Sequence, residues 1–247
     1  MANRDVPSVK GPGAVSERAR QVRTMFDRIV PRYDMLNRLM SLGMDGRWRR
    51  AAAAAVQPQG ARALDVGTGT GDLVRELRRQ GAARVLGVDF SAEMLAAARA
   101  KREGTDDDEA WALAEALRLP FATGTFDCVT NAFVLRNLAD LPAGLAEMSR
   151  VLAPGGRLVC LDMTPPPPGP FGAVYRLYFN HLVPPLAGLL SGDLAAYRYL
   201  PNSLKGFPEA SVLSVMLEEA GLTDVVVRKM GGGAVALHTA VKPSQAD

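Results

Sequence analysis

Residues 65–72 read Asp-Val-Gly-Thr-Gly-Thr-Gly-Asp, and this stretch decides the fold prediction. An apolar run, 61–66, leads into the glycines, and a helical pattern over 70–80 follows them. Glycines at a strand-to-helix junction let a ligand approach the backbone, and the first helical amides offer it hydrogen bonds. A dinucleotide fingerprint, G-x-G-x-x-G/A counted from Gly67, would need a small residue where Asp72 stands. The loop therefore indicates a ligand-binding α/β fold and disfavours a dinucleotide.

Strands and helices alternate along most of the chain. Apolar runs predict strands at 61–66, 84–88, 110–114, 126–133, 157–162, 224–229 and 234–241. Helices are predicted at 70–80, 92–102, 141–152 and 209–220, and the acidic run 106–109 predicts a solvated turn. This β-α-β order predicts a doubly wound, mainly parallel, seven-stranded sheet with helices on both faces.

Three segments lie outside this alternation. We expect residues 1–15 to form a mobile tail ahead of a single domain, 16–247. Apolar positions at helical spacing over 16–56, interrupted by Pro31 and Gly43, predict an N-terminal cap of two or three short helices. The proline-broken stretch 165–207 predicts an insertion, whose apolar part, 171–190, is either a lid over a ligand or an ordinary cover for the core.

Acidic side chains accompany the glycine loop. Asp89 ends the second predicted strand, where a carboxylate can accept hydrogen bonds from both hydroxyls of a ribose, while Ser91 suits the N-cap of the next helix. Glu115 and Ala116 follow the third strand at the same sheet edge. With D-x-G-x-G-x-G, these elements resemble the cofactor motifs of class I methyltransferases.

That resemblance implies S-adenosylmethionine as cofactor, with the carboxylate of Asp65 suited to the ammonium of its methionine end. The residues it implies around the cofactor are Asp65, Gly67, Gly69, Thr70, Gly71, Asp89, Phe90, Glu115, Ala116 and Ala132.

A narrower resemblance runs along nearly the whole chain. Residues 25–37 read Met-Phe-Asp-Arg-Ile-Val-Pro-Arg-Tyr-Asp-Met-Leu-Asn, residues 135–137 read Leu-Arg-Asn, and residues 197–200 read Tyr-Arg-Tyr-Leu. Together with Trp48-Arg49, they resemble the ubiquinone/menaquinone biosynthesis C-methyltransferases, the UbiE/MenG family. Pro31 and Asn202 depart from that family's usual alanine and glutamate.

The family resemblance implies methyl transfer to a ring carbon of a prenylated naphthoquinol or benzoquinol, and the closer match to its menaquinone members favours the naphthoquinol. Such a carbon becomes nucleophilic when an adjacent hydroxyl is ionised, so the site must align the ring and stabilise a phenolate. Arg136 and Asn137 are predicted to do this, although Arg136 could instead form a surface salt bridge.

The general base stays open between Tyr33, His181, His238 and a water activated by Arg136 or Asp34. Substrate contacts are predicted for Asp34, Tyr197 and Tyr199, although core packing explains the tyrosines equally well.

Composition limits the remaining classes. The two cysteines, Cys128 and Cys160, lie in predicted strands and argue against a disulfide framework. No cluster has metal-ligand spacing, so no metal is predicted. Without a signal-type apolar region or about 18 uninterrupted apolar residues, the chain is expected to be cytoplasmic. Segment 171–190 would bring it to the inner face of the membrane that holds the substrate.

Several alternatives remain. Residues 1–50 carry eleven Lys/Arg and five Asp/Glu, which suits an anionic partner, but no nucleic-acid-binding module accompanies them, so no nucleic acid is predicted. Other candidates are a methyltransferase for another lipid-like acceptor, a dinucleotide-dependent oxidoreductase, and a non-catalytic cofactor-binding protein. A homodimer also stays open.

Overall fold

The computed structural model describes residues 17–101, 109–165, 169–178, 181, 203–204 and 206–244. Within these residues, seven strands form one sheet: β1 (Arg62–Val66), β2 (Arg84–Asp89), β3 (Glu109–Leu113), β4 (Phe126–Ala132), β5 (Leu152–Met163), β6 (Thr223–Met230) and β7 (Val235–Val241). Their order is β3-β2-β1-β4-β5-β7-β6. Strands β1 to β5 are parallel to one another, and β7 is antiparallel to both β5 and β6. The strand order reverses between β1 and β4, which opens a crevice at their carboxyl ends.

The helices that surround the sheet in the described ranges are α1 (Glu17–Ile29), α2 (Tyr33–Met40), α3 (Asp45–Val56), α4 (Asp72–Arg79), α5 (Ala92–Ala100), α6 (Leu141–Val151), α7 (Pro170–Leu177) and α8 (Ala210–Glu219). Pro31 lies in a 3₁₀ turn between α1 and α2, and Gly43 lies between α2 and α3. The predicted interruptions of the N-terminal helices are therefore confirmed. Ser91 caps α5 as predicted, because its side chain accepts a hydrogen bond from the Met94 amide.

Each face of the sheet carries its own hydrophobic core. Leu64 of β1 packs in a cluster with residues of α6 and α8, such as Leu145 and Leu213. Its neighbour Ala63 joins the opposite cluster, with residues of α3 and α4 such as Ala52. Successive strand residues point to opposite faces, so this alternation covers both faces, as the predicted doubly wound fold requires.

Two predicted boundaries are wrong. Strand β5 begins at Leu152 instead of 157, so the Pro-Gly-Gly sequence 154–156 lies within a strand. The backbone there forms hydrogen bonds with the residue that follows β7, since the Gly155 amide donates to the Lys242 carbonyl over 2.8 Å. Glu109 likewise belongs to β3 instead of a solvated turn, because it pairs in register with Val85 of β2. Residues 106–108, the tail 1–15 and most of the insertion 165–207 lie outside the described residues.

Candidate functional site

The glycine loop joins β1 to α4 in a conformation that requires glycine. Gly67, Gly69 and Gly71 have φ angles of +67°, +55° and +80°, in the left-handed region. A Cβ on Gly67 would overlap the Val134 side chain, and one on Gly71 would lie 2.5 Å from the Trp111 ring. At Gly69 the nearest atom to such a Cβ would be in the Tyr33 ring, 3.7 Å away. Two of the glycines thus allow close packing of the loop, whereas Gly69 leaves space beside it.

That space belongs to a cavity of about 110 Å³, called here the glycine-loop cavity. Its walls come from α1, from the start of α2 and from the segments after β1, β2, β3 and β4. Seven of the ten predicted cofactor residues line it: Gly67, Gly69, Asp89, Phe90, Glu115, Ala116 and Ala132. The predicted catalytic residues Tyr33 and Asn137 line it as well.

Asp89 is the best-held carboxylate of this cavity. The Gly69 amide donates to its Oδ2 over 2.8 Å, and the Ser91 amide donates to its Oδ1 over 2.9 Å. Burial raises the pKa of Asp89, while these amide hydrogen bonds act in the opposite direction. Each carboxylate oxygen has two acceptor sites, so Asp89 keeps capacity for ligand hydroxyl groups.

The other three predicted cofactor residues do not line the cavity. Asp65 is buried beneath the loop, where the Thr130 hydroxyl donates to it over 2.9 Å. Burial raises the pKa of Asp65 to about 6, with the Thr130 hydrogen bond among the opposing effects. The Thr70 hydroxyl donates to Asp34 over 2.7 Å, and Asp34 also pairs with Lys101. The hydrogen bond between Thr70 and Asp34 therefore links α2 to the loop. Gly71 allows the positive φ angle that the loop requires.

A second, larger cavity of about 440 Å³ lies next to the first and is called here the arginine cavity. Helices α2, α3 and α7 and the turn between β6 and β7 contribute to it. Apolar and aromatic side chains dominate its lining, among them Met40, Trp48, Met163, Tyr175 and Tyr178. The charged residues in its described lining are Asp45, Arg49 and Arg136.

Phe133 lines both cavities. Its backbone φ is +64°, an unfavourable value for an aromatic residue, and its amide donates to the Leu161 carbonyl over 2.7 Å. Two guanidinium groups lie against its ring, with Cζ of Arg49 at 5.3 Å and Cζ of Arg136 at 5.7 Å from the ring centroid. Such strain concentrates at functional sites, so Phe133, at the junction of the two cavities, is a candidate functional residue.

Arg136 forms an ion pair with Asp162 at the end of β5. The side chains are only 8% and 3% exposed, so the alternative of a surface salt bridge is wrong. The Met163 amide donates to the same carboxylate over 2.7 Å. Asn137 lies one residue further on, and its side-chain amide donates to the Phe133 carbonyl over 3.3 Å.

The candidate bases are widely separated. Tyr33 lines the glycine-loop cavity, and burial raises the pKa of its phenol while Arg49 opposes that effect. His238 is buried against α8, with Nε2 2.8 Å from the Ala210 carbonyl, and His181 is exposed. Neither histidine is in the described lining of the two cavities. Tyr197 and Tyr199 lie outside the described residues.

Sequence reasoning missed Phe133, Asp162 and Tyr175 and did not assign a role to Arg49. Asp162 could have been found, because it ends a predicted strand at the edge where ligands bind. In the sequence, Arg49 stands out only as part of the Trp48-Arg49 motif. The positive φ of Phe133 has no signal in the sequence.

The sheet order, the antiparallel β7 and the glycine loop with Asp89 beyond it define the fold of an S-adenosylmethionine-dependent methyltransferase of class I. A SAM-dependent methyltransferase from Thermotoga maritima has this fold: the TM-score is 0.64 at 18% identity, over 90% of this chain and 99% of that one. Residues 14–242 match the model of the ubiE/COQ5 methyltransferase family, and the chain belongs to this family.

Individual relatives agree. A protein from Thermus thermophilus named demethylmenaquinone methyltransferase is 49% identical over 221 residues, which are 89% of this chain and 100% of the relative. A protein from Desulfotalea psychrophila named ubiquinone/menaquinone biosynthesis C-methyltransferase UbiE is 41% identical, over 94% of this chain and 92% of the relative. The predicted class of enzyme, its cofactor and the family resemblance are confirmed. No helix within the described ranges is long and apolar enough to cross a bilayer.

Proposed function

We propose that the protein methylates a ring carbon of a prenylated 1,4-naphthoquinol and so converts demethylmenaquinol to menaquinol. The naming of the Thermus thermophilus relative supports this acceptor, and a benzoquinol is the alternative because other relatives carry the combined ubiquinone/menaquinone name. In the reaction a carbon–carbon bond forms at the ring, the methyl–sulfur bond breaks, and the ring carbon loses its proton. The second product is S-adenosylhomocysteine.

The observation that carries the proposal is the pair of cavities that share Phe133. One contains the cofactor motifs, and the other is larger, mainly apolar and lined by aromatic side chains, which suits a fused aromatic ring with a prenyl tail. Methyl transfer needs donor and acceptor to be held in contact and in line, and adjoining cavities supply that proximity.

The glycine-loop cavity fits S-adenosylmethionine, which when bound supplies an electrophilic methyl group on a sulfonium. Asp89 would accept the ribose hydroxyls through its remaining lone pairs, and Glu115 would accept from the adenine amino group. Gly69 leaves the backbone accessible beside Tyr33, and Ala116, Ala132 and Phe90 complete the apolar walls. Asp65, buried beneath the loop, would favour the ammonium group electrostatically.

The acceptor would lie in the arginine cavity. Arg136, fixed by Asp162, would orient a ring oxygen by hydrogen bonding, and Asn137 would orient the ring from the glycine-loop side. Tyr33, whose phenol is kept protonated by burial, would act as a hydrogen-bond donor more readily than as a base. The role of Asp34 in substrate binding stays a prediction, since its carboxylate already binds Thr70 and Lys101.

The predicted insertion would cover the prenyl tail, and α7 is among its described residues. Leu177 of α7 is 59% exposed, and Leu42, which lines the arginine cavity, is 67% exposed. Leu42 lines an apolar cavity and Leu177 lies on α7 between the lining residues Tyr175 and Tyr178, and exposed leucines so placed suit peripheral contact with the membrane that holds the quinol. Flotation with anionic vesicles, wild type against Leu42→Ser/Leu177→Ser, tests this contact, and light scattering on the purified protein tests whether it forms a homodimer.

The test of the reaction uses purified protein, S-adenosylmethionine with a deuterated methyl group, and a short-chain demethylmenaquinol. The proposal predicts a product with the deuterated methyl on the ring carbon, identified by mass spectrometry and NMR. A label found on a ring oxygen would show an O-methyltransferase instead, and no labelled quinone despite cofactor binding would reject the quinol as acceptor.

A further inference from the structure

The charges that line the arginine cavity are not equivalent. Arg136 is neutralised by Asp162, and Asp45 accepts the Ser41 hydroxyl over 3.0 Å. The Arg49 side chain is nearly as buried, 10% exposed against 8% for Arg136, but its nearest carboxylate oxygen among the described residues is on Asp72, 4.0 Å from Nε. Asp72 pairs more closely with Arg75, over 2.5 Å, and lies 3.7 Å from Lys101.

The two arginines also differ in the hydrogen bonds that their guanidinium groups form. Nε of Arg49 is buried without a hydrogen-bond partner in the described part of the chain. Nε of Arg136 also lacks one, but its Nη1 donates to Asp162. A buried guanidinium without a hydrogen-bonded counter-ion is costly, so an anion bound beside Arg49 would offset that cost.

The position of Arg49 places this charge at the junction of the cavities. Its Cζ lies 5.3 Å from the centre of the Phe133 ring, the residue shared by both cavities. Its charge also reaches the glycine-loop side, because it acts against the effect of burial on the pKa values of Tyr33 and Asp65.

The acceptor chemistry requires a cation here. A quinol ring carbon becomes nucleophilic when its hydroxyl is ionised, and in a cavity this apolar the phenolate would be strongly disfavoured without a compensating charge. Arg136 is paired closely with Asp162 and so supplies little net charge, whereas Arg49 has only the more distant Asp72, which it shares with Arg75 and Lys101, and keeps more of its charge for a bound anion.

We propose that Arg49 is the catalytic residue that binds the ionised oxygen of the acceptor, and that Arg136 orients the ring. This inference rests on the proposed quinol acceptor. Charged and titratable groups surround Arg49 on several elements. They are Tyr33 on α2, Asp45 on α3, Asp65 and Asp72 near the glycine loop, Arg75 on α4, Lys101 after α5, Arg136 after β4, Asp162 in β5, and Tyr175 on α7.

The first test measures anion binding without turnover. The probe is 2-hydroxy-1,4-naphthoquinone, an acidic naphthoquinone that is ionised at neutral pH, added to protein saturated with S-adenosylhomocysteine in a calorimeter. Arg49→Met should weaken its binding at least about 30-fold, as expected when a buried charge loses its partner. The matched control is Arg50→Met, the exposed neighbour on the same helix, which should bind the probe like the wild type.

The second test is the pH dependence of kcat with a short-chain demethylmenaquinol. Removal of the cation should raise the apparent pKa of the activating ionisation by about one unit or more in Arg49→Met. Arg49→Lys keeps the charge without the planar fork, so its profile should stay near the wild type while probe affinity falls about tenfold.

Arg49→Met with wild-type probe affinity and an unshifted pH profile would overturn the inference. If Arg49→Met does not fold, unchanged probe affinity in Arg49→Lys would overturn it. In either case a wild type that methylates the quinol leaves the proposed function standing. A wild type that binds cofactor but methylates no quinol would instead reject the proposed function itself.

Discussion

The buried ion pair between Arg136 and Asp162 makes a quantitative prediction for a double-mutant cycle. Each single variant, Arg136→Met or Asp162→Leu, leaves one charge buried without its partner, which costs about 3–5 kcal/mol of unfolding free energy. For a chain of this length, that loss lowers Tm by about 6–20 °C. The double variant removes both charges and keeps the volume apolar, so it should lose only about 1–2 kcal/mol, mainly the hydrogen bond that the Met163 amide donates to Asp162.

Urea denaturation followed by circular dichroism measures the three free energies, and turnover is measured beside it. The cycle should show a coupling of several kcal/mol, and the stable double variant should still be nearly inactive, because Arg136 no longer orients the acceptor. Additive losses in stability would refute the pairing. An active double variant would refute the role of Arg136 even if the stability data agree.

Three further changes test the glycine loop and the carboxylates beside it. Gly67→Ala should lower stability by about 1–3 kcal/mol, because its Cβ overlaps Val134 at a φ of +67°, and calorimetry should show weaker cofactor binding. Val134→Ala added to it should restore part of the loss. Asp89→Asn places an amide nitrogen opposite a backbone amide donor, so S-adenosylhomocysteine should bind at least about tenfold more weakly, whereas unchanged affinity would exclude a ribose contact. Burial raises the pKa of Asp65 to about 6, so its protonated form stabilises the fold at low pH. As the pH rises from about 4 to about 6, the wild type should lose about 3 kcal/mol of unfolding free energy relative to Asp65→Asn. Parallel stability curves for the two proteins over that range would contradict this.

The fold was predictable because its signals are local. The glycine loop after an apolar run, and the repeated alternation of strand and helix, specify a doubly wound sheet before any long-range contact is known. The start of β5 was missed because Pro154-Gly155-Gly156 is typical of a turn, yet Gly155 pairs with Lys242 near the other end of the chain. Only the assembled sheet supplies that partner.

The candidate site was predictable on the cofactor side for the same reason. Its residues follow successive strands, and parallel strands bring their carboxyl ends to one edge. The arginine cavity combines α2, α3, α7 and the β6–β7 turn, which no local pattern brings together. The difference between Arg49 and Arg136 depends on which carboxylate each meets, and Asp162 lies 26 residues beyond Arg136.

Transfer of label from S-adenosylmethionine to two acceptors, offered side by side, tests the central claim most directly. The acceptors are a short-chain demethylmenaquinol and the corresponding demethylated ubiquinol precursor, both kept reduced, with the wild-type protein at neutral pH. The account predicts label in the ring of the naphthoquinol product, with turnover lost in Arg136→Met. Label in the benzoquinol alone would contradict the assigned acceptor, and label in neither, while calorimetry still shows cofactor binding, would contradict methylation of a quinol altogether.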